Sequence, residues 1–177
     1  MQKPIVCMQT ELGIIRVQLE TEKANLTAQN FLGYVTRGDF TNSHFYRVVH
    51  QKNQDHQAIK IAVIQGGLGM NWHSKKGTTI AHQTTLETGL KHLNGTISMS
   101  RLEPGSAHSE FFICIDDQPE LDYGGQRNPD GQGFAAFGQV IEGFEIILEI
   151  QKQPEQDQML LEPIKIHTMT LEAQLGK

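Results

Sequence analysis

Residues 5–19 read Ile5-Val6-Cys7-Met8-Gln9-Thr10-Glu11-Leu12-Gly13-Ile14-Ile15-Arg16-Val17-Gln18-Leu19. Two apolar runs flank Glu11-Leu12-Gly13, and in the second Ile15, Val17 and Leu19 alternate with polar neighbours, the period-two signature of a half-buried strand. The glycine supplies the backbone freedom that a turn needs, so the stretch predicts an antiparallel hairpin. The same grammar repeats downstream. Strands are expected at 43–50, 58–65, 95–100, 110–115, 134–140 and 164–171, separated by glycine-rich turns. Two helices are expected, at about 24–37 (apolar set Leu26, Phe31, Leu32 and Val35, stopped by Gly38-Asp39) and at 144–150. Many short strands with so few helices favour a closed antiparallel barrel, which also hides strand edges, over alternating strand–helix units.

Composition fits that reading. At roughly 150 residues per domain, the 177 residues make one domain spanning 1–177. Hydrophobic residues are 38% of the chain and charged residues 20%, enough apolar material for one core and too much for disorder. Fifteen Lys and Arg against twenty Asp and Glu leave a net charge of −5, which disfavours a general grip on nucleic-acid phosphates. Cys7 and Cys114 both sit inside apolar runs and read as buried reduced thiols. The sequence has no apolar run long enough for a membrane span. Met1-Gln2-Lys3-Pro4 leads straight into the first strand, so a cytoplasmic location is expected, or a periplasmic one if an export signal was removed.

Several short stretches carry chemistry. Phe45-Tyr46-Arg47-Val48-Val49 sets an arginine within an apolar strand, and Val63-Ile64-Gln65-Gly66-Gly67 ends a strand on a glutamine and two glycines. Gly95-Thr96-Ile97-Ser98-Met99-Ser100-Arg101 is followed by Ser109-Glu110-Phe111-Phe112-Ile113-Cys114, then Glu120-Leu121-Asp122, then Phe134-Ala135-Ala136-Phe137-Gly138. Singly these are weak signals. In this order, over roughly residues 5–171, they resemble the cyclophilin family of peptidyl-prolyl cis–trans isomerases, in its bacterial branch.

The resemblance implies a mainly β fold, a closed eight-stranded antiparallel barrel capped by two α-helices. It implies acceleration of X–Pro bond rotation in peptides and folding proteins, without a cofactor or metal. Arg47 and Gln65 take the catalytic positions, the arginine stabilising the twisted imide and the glutamine anchoring the substrate backbone. Val63, Phe112 and Leu121 line a proline pocket with Phe134 at its margin, and Glu110 and Arg101 stand on the substrate-binding rim. Partners would be proline-containing peptides and unfolded chains, with no nucleic acid or membrane involved, and the protein would be a monomer.

The chain also departs from the family. A polar insertion around 50–59, His50-Gln51-Lys52-Asn53-Gln54-Asp55-His56-Gln57-Ala58-Ile59, separates Arg47 from Gln65 and reads as a surface loop. Ala62 stands where the family often has a phenylalanine wall, and Glu120 where it often has an aromatic. These two changes motivate an alternative, a cyclophilin-fold peptide-binding or chaperone module with little turnover. A small-ligand barrel with an apolar interior cavity is a more distant rival. The loop 123–133 is read as a surface excursion without chemistry. The eight histidines, at 44, 50, 56, 73, 82, 92, 108 and 167, match no metal-binding spacing. The sequence contains no G-x-S-x-G nucleophile elbow, and Gly66-Gly67-Leu68-Gly69 lacks the G-K-[ST] ending of a phosphate loop.

Overall fold

A computed structural model of the chain describes residues 3–69 and 77–173. His73 lies outside the described residues. The opening hairpin forms as expected: β1 (Ile5–Thr10) and β2 (Gly13–Leu19) pair antiparallel, with Val6 opposite Val17 and Met8 opposite Ile15. All four side chains point inward and are fully buried. Gly13, at φ +145°, lies against the Ile146 side chain, which occupies the space a Cβ would need.

Helix α1 (Asn25–Thr36) follows, then β3 (Ser43–Val49), β4 (Val63–Gly67), the single-turn helix α2 (Thr85–Thr88), β5 (Thr96–Met99), β6 (Phe111–Cys114), β7 (Ala135–Glu142), α3 (Phe144–Gln151), β8 (Glu155–Gln156) and β9 (Met159–Leu171). Eight strands run in the order β1-β2-β7-β5-β6-β4-β3-β9, and β9 pairs back onto β1, closing the barrel. β8 pairs with the early part of β9 as a small hairpin. The sequence missed α2, whose single turn is held by a Thr84/Glu87 capping box. It missed β8 because the turn Asp157-Gln158 lacks the usual glycine, although both residues have positive φ (52° and 73°).

The barrel interior is filled by side chains, among them Val6, Met8, Ile15, Phe45, Ile64, Ile97 and Ile113. That filling leaves the small-ligand reading without its interior cavity. From α1, Phe31 packs on Phe40, Phe111 and Phe137, with ring centroids 5.1–5.5 Å apart. Leu26 was expected on this face, yet it is exposed, since the buried set is Thr27, Ala28, Phe31, Leu32, Tyr34 and Val35. Cys114 is buried, whereas Cys7 lies on the outer side of β1 and is only half-buried.

A second, smaller apolar cluster forms on the outside of the barrel. It contains Val49, Ile61, Val63, Phe112, Cys114 and Leu121, with Phe134 against it. Adjacent residues in a strand face opposite sides. Phe111 therefore enters the barrel core while Phe112 enters this outer cluster.

The insertion is not a loose excursion. Its centre is the buried Gln54, whose amide donates to the His50 and Ile61 carbonyls (2.8 Å each) and accepts from the Ile61 N–H (3.1 Å). Those bonds occupy the backbone of Ile61, so the strand expected from 58 begins only at Val63.

Candidate functional site

β3 and β4 pair so that Arg47 lies opposite Gln65, and β4 and β6 pair so that Gln65 lies opposite Phe112. This register brings residues far apart in sequence onto one face. They line a cleft of about 190 Å³ together with Ile61, Val63, Ser100, Arg101, Leu121, Arg127, Asn128 and Phe134. One flank is apolar, formed by Ile61, Val63, Phe112, Leu121 and Phe134. Phe112 and Phe134 meet edge to face at 5.3 Å. Behind Phe112 lies a buried polar prop. His92 stacks on the Phe112 ring at 6.0 Å and bonds the Asp122 carboxylate through Nδ1 (2.8 Å) and the Ser98 hydroxyl through Nε2 (2.9 Å). Serine, histidine and aspartate are in line, but Ser98 is 0% exposed, so no substrate reaches its hydroxyl.

The opposite flank is cationic. Arg47 donates from Nη1 to the Gln65 side-chain oxygen (2.8 Å), and from Nη2 and Nε to the Gln158 side-chain oxygen (2.6 and 3.1 Å). A guanidinium has five N–H donors. One N–H on each terminal nitrogen therefore stays free of these bonds. Both partners are neutral amides, so the charge is fixed in place without being cancelled by a carboxylate. Burial pulls the Arg47 pKa down from its ordinary value, yet arginine stays charged at neutral pH.

Gln65 also donates to the Tyr46 hydroxyl (3.1 Å) and the Ser100 hydroxyl (3.2 Å), and Tyr46 in turn donates to the Glu110 carboxylate. Burial first, and the Glu110 charge second, push the Tyr46 phenol well above its usual range, so it serves as a fixed donor.

A family model described as "cyclophilin type peptidyl-prolyl cis-trans isomerase/CLD" matches residues 5–171. This chain belongs to the cyclophilin-type peptidyl-prolyl cis–trans isomerase family. Peptidyl-prolyl cis–trans isomerase A of Dickeya dadantii is 34% identical over 148 residues, covering 83% of this chain and 70% of that protein. Peptidyl-prolyl cis–trans isomerase B of Escherichia coli is 30% identical over 148 residues, covering 83% and 84%. The cyclophilin-type isomerase of Cryptosporidium parvum shares the fold, with a TM-score of 0.77 at 20% identity over 97% of this chain and 99% of that one. A second crystal structure of that parasite protein was determined in the presence of the dipeptide Ala-Pro.

Among the site residues of this cyclophilin expected from sequence, Arg47, Gln65, Val63, Phe112, Leu121, Phe134 and Arg101 all line the one cleft. Glu110 does not. Its carboxylate accepts from Tyr46, from the Ser109 hydroxyl (2.8 Å) and from the Gly69 N–H (3.0 Å), and it lines a neighbouring groove with His44, Tyr46 and Met159. Gly66 and Gly67 make room for the protein's own atoms. A Cβ on Gly66 would meet the His44 carbonyl oxygen at 2.8 Å, and one on Gly67 would meet the Glu110 carboxylate at 2.6 Å.

Arg101 is in the wall, but its side chain is 1% exposed and its donors go to Asp130, the Gly133 carbonyl and the Leu102 carbonyl. It also lies over the Phe134 ring at 5.2 Å. Its bonds tie down the loop 123–133, and that loop is no bystander, because it carries Arg127 and Asn128 into the cleft. The wall left open at Ala62 is filled by Ile61, while Ala62 turns towards a groove on the other side. Ile61, Val63 and Gln65 alternate along the chain, the one sequence signal that could have found Ile61. Gln158 carried no such signal, being 111 residues from Arg47 in a turn without a glycine.

Proposed function

We propose that this chain accelerates cis–trans rotation of X–Pro bonds in peptides and unfolded protein chains by holding the twisted imide against Arg47. Rotation faces a barrier of roughly 18–20 kcal/mol, because the amide C–N bond has partial double-bond character. Twisting breaks that conjugation and leaves a lone pair on the prolyl nitrogen. A fixed cationic donor stabilises this lone pair more than it stabilises the planar ground state. The single observation that carries the reading is a guanidinium with two free N–H donors, held by neutral amides, beside an apolar wall in the same cleft. The wall grips the ring and displaces water, which strengthens the electrostatic interaction. Gln65 then has two tasks, holding Arg47 and meeting the substrate backbone. The deciding test is the exchange rate of an Ala-Pro-containing peptide, followed by NMR with and without the protein. Faster exchange is expected, whereas binding without acceleration would favour the peptide-binding alternative.

The mechanism uses no group that titrates near neutrality. Activity is expected to be nearly flat from about pH 6 to 8, a range below the ordinary arginine pKa and above the ordinary carboxylate pKa. For Asp122, burial is the largest influence and pushes the pKa up, but the hydrogen bonds from His92 and the electrostatic attraction of His92 and Lys91 together outweigh it and hold the carboxyl below its usual value. A depressed folded-state pKa gives stability that is full above about pH 4 and is lost as pH falls through the folded pKa. From neutrality downwards, decline is therefore expected only in acid, in thermal melts and activity together. A bell-shaped rate profile centred near neutrality would instead require a general acid or base.

Gln158 acts through Arg47. Its side-chain oxygen bonds Nη2 and Nε, and its amide nitrogen donates to the carbonyl of Asn53 in the insertion (2.9 Å). It does so from a left-handed backbone at φ 73°, where an L-residue costs about 1–2 kcal/mol. Gln158→Gly relieves that backbone cost and removes the clamp. The expected result is a melting temperature equal to or above wild type with kcat/KM reduced roughly three- to tenfold, the cost of a misplaced catalytic group. Asp157→Gly, one residue earlier at φ 52°, makes the same backbone change and leaves the clamp intact, so full activity is expected. Equal activity in the two variants would remove the positioning role.

A further inference from the structure

Arg127 is the second guanidinium in the cleft without a carboxylate partner, and the loop 123–133 and the insertion fix it jointly. Its Nη1 donates to the Gln54 side-chain oxygen (2.9 Å) and the Ile59 carbonyl (2.5 Å), and its backbone N–H donates to the Glu120 carbonyl (3.2 Å). The Nε and Nη2 donors have no acceptor among the described residues. The side-chain partners of Arg47 and Arg127 are neutral throughout, whereas Arg101 in the same wall is neutralised by Asp130. Burial lowers the Arg127 pKa first, and the charge on Arg47 lowers it further, so the two cations act on each other across the cleft. Beside them the Asn128 side-chain nitrogen is buried with no hydrogen-bond partner. A chain of net charge −5 thus keeps two uncancelled guanidiniums in a cleft of about 190 Å³.

We propose that Arg127, beside Asn128, forms a subsite for an acidic side chain of the substrate, a glutamate or aspartate within two residues of the proline. Backbone carbonyls of a neutral peptide can accept hydrogen bonds there, but only an anion also relieves the repulsion between the two guanidiniums. A carboxylate matches the paired donors of an arginine fork. The subsite rests on the isomerase reading above, and it makes this cleft selective among prolyl sequences.

The test is kcat/KM by NMR exchange for a set of peptides in which one position, from two before to two after the proline, carries Glu or its neutral isostere Gln. At low salt, one position is expected to favour Glu over Gln by roughly tenfold, the scale of a hydrogen bond to a charged group. The Glu/Gln ratio is expected to shrink towards one as ionic strength rises, with the Gln peptide as the internal reference. Arg127→Gln should abolish the ratio and Arg127→Lys should keep part of it. Equal rates for Glu and Gln at every position overturn the subsite, and so does a ratio that Arg127→Gln leaves intact. The salt titration on the wild-type protein keeps the test decisive if Arg127→Gln fails to fold. Failure to accelerate any peptide, Gln forms included, would strike the isomerase reading instead.

Discussion

Arg47→Ala is expected to lower kcat/KM by at least about tenfold, equivalent to ~1.4 kcal/mol of transition-state stabilisation, while the barrel stays folded. The guanidinium lies on the cleft side of β3, bonded only to the amides of Gln65 and Gln158, which keep other partners in Tyr46, Ser100 and Asn53 when it is removed. Truncation therefore removes the cation beside the apolar wall without leaving a buried ion unpaired, and its effect on melting should be small. Arg47→Lys separates charge from geometry. A lysine ammonium restores the charge but cannot reproduce the planar fork that bonds Gln65 and Gln158 and still aims two N–H groups outwards. It is expected to recover little of the lost activity. NMR exchange on an X–Pro peptide, with a thermal melt beside it, measures both variants. Wild-type turnover in Arg47→Ala would dismiss the electrostatic mechanism outright.

The barrel was legible in the sequence as many short strands between glycine-rich turns, opened by a hairpin whose inward positions alternate. Val6 and Met8 against Ile15 and Val17 is a pattern that a one-residue slip would turn inside out. The core of the site was legible through the ordered motifs that resemble the cyclophilin family, and the register explains why they meet, since Arg47, Val63, Gln65 and Phe112 occupy outward positions of three neighbouring strands. What escaped reading comes from segments without a period. The insertion looks like a solvated loop because it is polar, yet Gln54 is polar in order to satisfy backbone groups of His50 and Ile61 in a buried place. Arg127 sits in a loop rich in glycine and polar residues, where an arginine reads as solvent-facing. Gln158 bonds Arg47 across more than half the chain, and no local rule covers such a pairing. Glu110 misled in the opposite way. The alternation at Phe111-Phe112 is correct, but one residue earlier the carboxylate turns over Gly67 towards Tyr46 and leaves the cleft.

The insertion and the cleft are mechanically one unit. Gln54 holds Ile61 and Arg127, and Asn53 holds Gln158, which holds Arg47. Both flanks of the cleft, apolar and cationic, thus depend on the residues that lengthen the chain between Arg47 and Gln65. A loop that only decorated the rim would leave the arginine to Gln65 alone.

The adjacent rings of β6 provide the sharpest separation of fold from function. Phe111 is fully buried among Phe31, Phe40 and Phe45 in the barrel core. Phe112 is 5% exposed and lies between His92 and Phe134 at the cleft. Truncating a buried phenylalanine to alanine costs about 3–5 kcal/mol. Phe111→Ala and Phe112→Ala are both expected to lose stability on that scale, seen as a drop in melting temperature on the order of 10 °C for a domain of this size. Their kinetics should part company. At a temperature where both variants are folded, Phe111→Ala keeps kcat and KM near wild type, since its ring never meets the substrate. Phe112→Ala loses the face against which the proline ring packs. Burying apolar surface is worth about 25 cal/mol per Å², so its KM is expected to rise roughly tenfold with a smaller change in kcat. Equal kinetics in the two variants would mean that the outer apolar cluster is only more core and that the ring binds elsewhere. A KM effect confined to Phe112→Ala fixes the proline seat on one side of a single strand.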